Sequence, residues 1–255
     1  MFSASQVLLQ IEQYYWPFLR LSAMLLAAPI FSAASFPVRV RVILAVLVTA
    51  LVAPMLPPLP DVDALSAQGL VIAGQQVLIG AAMGFVVQLI FSAAVVAGQT
   101  IAMTIGLGFA LSVDPQNGVQ VPVLSQFYTI LATLLFLVFD GHLLLVQALV
   151  ESFSFMPVGA GALRDGFALD VVRLGSSMFL SALLLVMPAM TAVLLINIAF
   201  GVITRAAPQL NIFAVGFPVT ILAGFLFIFL SLPTVFPLLE HMLQGGLLDA
   251  LEVFR

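Results

Sequence analysis

The chain has no cysteine and no lysine, two histidines, and charged side chains at only 7% of its 255 residues. Each shortage removes a class of chemistry. Without cysteine there is no disulfide, no thiol nucleophile and no thiolate-bound metal. His142 and His241 stand far apart in sequence, so no histidine-rich metal site is expected. Seven arginines against eleven acidic residues give a net charge of −4 and no cluster of cations to neutralise phosphates, which excludes nucleic acid as a partner. The HExxH, GxSxG and Walker A patterns are missing. GLGFAL, around Gly106, lacks the third glycine and the downstream acid of a dinucleotide turn. Acid–base chemistry in a membrane needs carboxylates within the spans. Asp114 is the one candidate, and it stands before Pro115 as a turn former does. The expectation is a protein with no catalytic residue, no cofactor and no metal. The first residues also lack the basic start and the small-residue cleavage site of a removable signal peptide.

What is present is apolar. Hydrophobic residues make up 63% of the chain and the mean hydropathy is +1.26, against about 45–50% apolar and about 25% charged residues in an average soluble domain. No charge occurs in residues 64–113, 174–204 or 206–239. A crossing takes about 20 apolar residues, so the length allows about five or six crossings. The expected class is an all-α membrane protein, with residues 1–255 forming a single membrane domain.

In chain order, Tyr14, Tyr15 and Trp16 form an aromatic belt before an apolar run over residues 18–34. Arg20, near its start, reads as a snorkelling end charge or a paired structural one, and Pro29 predicts a kink. A second span covers residues 42–55 and ends in PMLPPLPDVD. The positive-inside rule places Arg39 and Arg41 in the cytoplasm and this acidic turn outside. The third apolar segment, residues 70–104, would reach roughly 50 Å as one helix, beyond a hydrocarbon core of about 30 Å. It therefore breaks, or it extends past the bilayer inside an assembly. Gly80, Gly84, Gln88, Ser92 and Gln99 share one face of it at helical spacing. That stripe serves helix packing within the chain or close packing against partner subunits.

A further span over residues 121–138 closes on FDGH, where Asp140 and His142 mark an aqueous end rather than a catalytic pair. A short amphipathic helix is expected over residues 163–172. Residues 174–203 and 212–239 make a hairpin whose tip holds Arg205, Pro208, Gln209 and Asn211. Pro188, Pro218, Pro233 and Pro237 predict kinked or broken arms. The tail, residues 240–255, suits an interfacial helix after a break at Gly245-Gly246.

Residues 98–128 are the centre of the chain. They carry Asp114 as their one charge, yet hold Gly106, Gly108, Pro115, Gly118 and Pro122. Irregular backbone at membrane depth survives only against protein or a water-filled cavity, since an unpaired polar group in lipid costs several kcal/mol. A buried or lumen-facing loop follows. Discontinuous helices also build the midplane sites of secondary transporters. That alternative, a transporter or channel for a small solute, lacks ionisable groups in the spans to carry coupling protons.

TIGLGFALSVDPQNG with the following VPVLSQFY, and TRAAPQLNIFAVGFP, resemble the FliR-type subunits of the flagellar type III protein export gate, the SpaR or YscT type of injectisomes. The resemblance implies long kinked hairpins packed into a helical gate. Residues 1–150 would be a part like the P-type subunit, and residues 174–239 a hairpin like the Q-type subunit. Implied partners are P-type, Q-type and FlhB-type subunits, unfolded export substrates and membrane lipid. The implied location is the bacterial inner membrane at the flagellar basal body, with part of the assembly on the periplasmic side. On this reading Met103, Ile105, Gly106, Gly108, Phe109, Leu111, Asp114, Pro115, Asn117 and Gly118 plug the pore. The apolar members seal it by dewetting, Gly106 and Gly108 let the loop retract, and the tip at Arg205 faces the cytoplasmic entrance.

Overall fold

The computed structural model describes residues 4–57, 60, 62–107, 123–159, 166–207 and 212–253. Among them there is no strand. The helices are α1 (Ala4–Ala27), α2 (Val38–Val52) with a 3-10 turn at Ala53–Met55, α3 (Ala67–Thr104), α4 (Val123–Val138), α5 (Gly141–Phe155), α6 (Phe167–Ala206) and α7 (Ile212–Val253). Four of these are long and apolar enough to cross a membrane, and the α4–α5 pair, bent by 66°, adds a fifth if it counts as one span. Among the described residues the upper count of six is not reached. The run over residues 18–34 is cut when α1 stops at Ala27, and Pro29 falls in the turn that follows, beside Ile30 at φ 72°. Pro29 therefore kinks no helix.

The chain divides into two compact units. One comprises residues 1–89, 139–175 and 244–255. Here α1 lies against the first half of α3, and close approach is possible because α3 offers glycine. A Cβ at Gly80 would overlap the carbonyl oxygen of Arg20, and one at Gly84 would stand 2.6 Å from the Met24 carbonyl oxygen and 2.7 Å from the Ala27 Cβ. The GxxxG step is thus filled by α1 of the same chain. At these two positions the stripe has no face left for a partner subunit.

The other unit comprises residues 90–138 and 176–243. The second half of α3 pairs antiparallel with α4. Gly98 sits opposite Ser125, whose backbone N would be 2.6 Å from an added Cβ, and Phe91 meets Phe136 edge-on at 5.6 Å. Ser125 Oγ donates to the Val95 carbonyl oxygen at 3.0 Å. The ends of the 98–128 stretch are therefore helical, with α3 running to Thr104 and α4 starting at Val123. Of their small and polar residues, Gly98 and Ser125 are used for helix contact, not for a loop.

In the same unit α6 and α7 bury one stripe each, Ala182, Leu185, Val186, Ala189 and Val193 on α6 and Thr220, Gly224, Ile228, Val235 and Leu239 on α7. Thr220 Oγ1 lies 3.4 Å from Asn197 Oδ1 between the arms. Pro188 sits inside α6, and Pro218, Pro233 and Pro237 sit inside α7, without ending either helix. Nor does α7 break at Gly245-Gly246, so the tail continues the hairpin arm to Val253. The short helix expected over residues 163–172 is instead the start of α6 from Phe167 onward. Asp140, in the left-handed region at φ 54°, makes the bend between α4 and α5.

Candidate functional site

The central loop leaves α3 through a helix stop built from the residues at its root. The Gly106 N–H donates to the Met103 carbonyl at 3.2 Å and the Leu107 N–H to the Ala102 carbonyl at 2.9 Å, with Gly106 at φ +90°. These are the paired bonds of a Schellman motif, in which the residue just past the helix adopts a left-handed conformation that glycine takes without a Cβ penalty. Gly106 therefore fixes the direction in which the chain leaves α3.

Two contacts with α7 hold this root. Ile105 is 1% exposed, and its side chain occupies the space that a Cβ on Gly224 would need. Conversely, the Phe217 ring covers Gly106, with Cε2 2.7 Å from where a Cβ would stand. Met103, on the last turn of α3, is 60% exposed. The structure thus places Met103, Ile105 and Gly106 together at the loop root. Gly108, Phe109, Leu111, Asp114, Pro115, Asn117 and Gly118 lie outside the described residues.

Of the proposed packing stripe, Gly80 and Gly84 are buried against α1, Gln88 and Ser92 are half-buried, and Gln99 is exposed. At the hairpin tip Arg205 is exposed in the last turn of α6, where a cation suits the helix dipole. Pro208, Gln209 and Asn211 lie outside the described residues. No group of acidic or histidine side chains suited to a metal occurs among the described residues.

Sequence reasoning left Arg20 open between a snorkelling and a paired structural role, and the first unit decides between them. Arg20 is fully buried. Its Nε donates to Gln76 Oε1 at 2.8 Å, its Nη1 to Ser152 Oγ at 2.9 Å and its Nη2 to the Met156 carbonyl at 2.8 Å. Its guanidinium carbon stands 3.9 Å from the centre of the Phe153 ring, a cation–π contact. The snorkelling reading is therefore wrong, and the paired structural one describes this arginine. A signal was present: Gln76 precedes Gly80 by one helical turn, so a polar residue shares the face that the glycines open to α1. Phe217 and Gly224, two turns apart on α7, were missed, because nothing local ties them to Gly106 or Ile105.

A model of the family described as bacterial export proteins, family 1, matches residues 11–246. The chain is 41% identical over 240 residues to the flagellar biosynthetic protein FliR of Escherichia coli strain K12, covering 94% of this chain and 92% of that one. It is 41% identical over 232 residues to the protein of the same name from Pectobacterium carotovorum, covering 91% and 88%. Against that of Bacillus subtilis it is 26% identical over 228 residues, 88% of each chain. These likenesses give no support to a small-solute transporter or channel. With its apolar helices and its match along nearly the whole sequence, the chain belongs to the bacterial export proteins of family 1, as a FliR-type membrane subunit of the flagellar type III export apparatus.

Proposed function

We propose that the chain forms part of the pore through which unfolded export substrates cross the inner membrane, and that the loop following α3 plugs this pore when it is idle. The observation that carries the reading is the anchored root. Ile105 is buried, Gly106 ends α3 in a fixed direction, and Phe217 and Gly224 of α7 hold both. A plug must seal against a proton gradient, and a loop hung from a rigid base returns to the same place after each opening. On this reading Met103, Phe109 and Leu111 supply apolar surface for a dewetted seal, while Ile105 serves the anchor.

On this reading residues 1–150 play the part of a P-type subunit and residues 174–239 that of a Q-type hairpin. Partners are the FliP, FliQ and FlhB types of subunit, with part of the assembly on the periplasmic side. The extensive apolar exposure of α2, α6 and α7 supports such neighbours together with lipid. Deleting residues 106–118 is expected to leave the complex assembled but leaky to small ions, measured as ion flux in cells or proteoliposomes. Normal assembly with unchanged leakage removes the plug role.

A further inference from the structure

We propose that one face of α6, from Leu183 to Gly201, is a seam for an apolar transmembrane helix of a neighbouring subunit, and that Asn197 sets the register of the contact. This rests on reading the chain as part of an assembly of membrane subunits. Leu183, Met187, Met190, Leu194, Asn197 and Gly201 follow one another at alternating steps of four and three residues, the spacing at which two helices pack along a common seam. None of the six is buried. The four large apolar side chains among them stand exposed, beside the stripe that α6 buries.

Asn197 decides what covers this seam. Its Oδ1 lies 3.4 Å from Thr220 Oγ1, but the one hydrogen of that hydroxyl already goes to the Gly216 carbonyl at 2.8 Å. The two amide hydrogens of Asn197 meet no acceptor among the described residues. An unpaired carboxamide is costly in an apolar medium, and an acyl chain offers it nothing. Water would serve it, yet Met190 and Leu194 beside it are apolar and exposed, which a wetted face is not. A neighbouring helix has backbone carbonyls and hydroxyls to accept the bond, at the close approach that small residues permit. Gly201 opens that approach. It stands one turn beyond Asn197 on the same face, and a Cβ there would meet nothing within 4 Å, whereas Gly80, Gly84, Gly98 and Gly224 are filled by the chain's own atoms. A single asparagine in an apolar seam fixes its register, because sliding the partner along α6 leaves the carboxamide unpaired again.

The test uses the full chain co-expressed with the other subunits of the apparatus, purified through a tag on one of them. Gly201→Leu fills the notch and Asn197→Leu removes the carboxamide, and neither touches the buried stripe of α6. Recovery in the complex, scaled to the amount of chain in the membrane, is expected to fall at least about tenfold for Gly201→Leu and about threefold for Asn197→Leu. The thermal midpoint of the isolated Gly201→Leu chain in detergent should equal that of the wild type. A lowered midpoint overturns the seam, since the notch is then filled from within. Undiminished recovery of both variants overturns it as well, and a raised midpoint for Asn197→Leu then marks a face turned to lipid. So does rapid labelling of Gly201→Cys in the complex by a membrane-impermeant maleimide, which marks a water-lined face; the chain has no other cysteine to react. If the wild-type chain joins no complex, the proposed function fails and the seam with it. If wild type and variants join equally, the seam alone fails.

Discussion

Arg20 binds α1 to parts of the chain 56, 132 and 136 residues away. A guanidinium suits this position because its planar fork presents donors in several fixed directions, where a lysine ammonium is a compact point. The side chain and the backbone of this residue cooperate. Its carbonyl lies where Gly80 has no side chain, and that approach brings Gln76, one turn earlier on α3, within reach of Nε. Arg20→Ala strands buried acceptors on Gln76 and Ser152, at about 1–3 kcal/mol each where water cannot enter, and frees the half-buried Met156 carbonyl. The expected outcome is a clearly lower thermal midpoint of the purified protein in detergent, with Arg20→Lys between that variant and the wild type. Equal midpoints for all three proteins would show that the guanidinium does not tie these segments together.

Among the elements, α3 has two halves with different partners. Its 38 residues extend about 57 Å at 1.5 Å per residue, and the glycines along it are not equivalent. Gly98 faces backbone, with Ser125 N at 2.6 Å and the Leu124 carbonyl carbon at 2.7 Å from an added Cβ, whereas Gly74 has nothing within 4 Å. Gly98→Ala therefore forces α3 and α4 apart, an overpacking cost of about 1–3 kcal/mol. Gly74→Ala gains about 0.5–1 kcal/mol from the lower entropy of the unfolded chain. The two variants are expected to shift the thermal midpoint in opposite directions. A shift of the same sign for both would contradict the α3–α4 packing. The prolines give a similar contrast at this scale: each removes one backbone donor, yet α6 and α7 carry them without ending, because a helix packed along one stripe survives the loss of a single bond.

At the scale of the molecule, the described residues leave much apolar surface unburied. Half of the most apolar stretch of α3 is buried inside the chain, but only 22% of that of α2, 28% of that of α6 and 22% of that of α7. Leu180, Leu184, Leu195, Leu222 and Phe229 are among the large side chains left exposed. Lipid and neighbouring subunits of the export apparatus are the surroundings such faces require, since apolar exposure of this extent is unstable in water. The tip of the hairpin is different: Arg205 offers an exposed cation at the end of α6. Arg205→Ala is expected to leave the chain in its membrane complex and to lower secretion a few-fold, because rim charges steer association more than they hold it. Wild-type secretion by this variant would reduce Arg205 to a signal for membrane orientation.

The sequence by itself determined the class of protein and where its longest apolar segments lie. Long charge-free segments admit only membrane helices, and the ends of helices α2 and α4 follow from where proline, Asp140 and glycine stand. It also determined the family, through the motifs around Gly106 and after Arg205. Tertiary structure decided which face of each helix meets which neighbour. In α3, α6 and α7 nearly every position is apolar, so the pattern that marks a buried face in a water-soluble helix is absent, and burial depends on the partner rather than on residue type. Gly80 and Gly84 became intrachain contacts, Arg20 became an internal tie, and Gly106 became a fixed stop. Each outcome depends on atoms from distant parts of the sequence, and local spacing cannot encode such contacts.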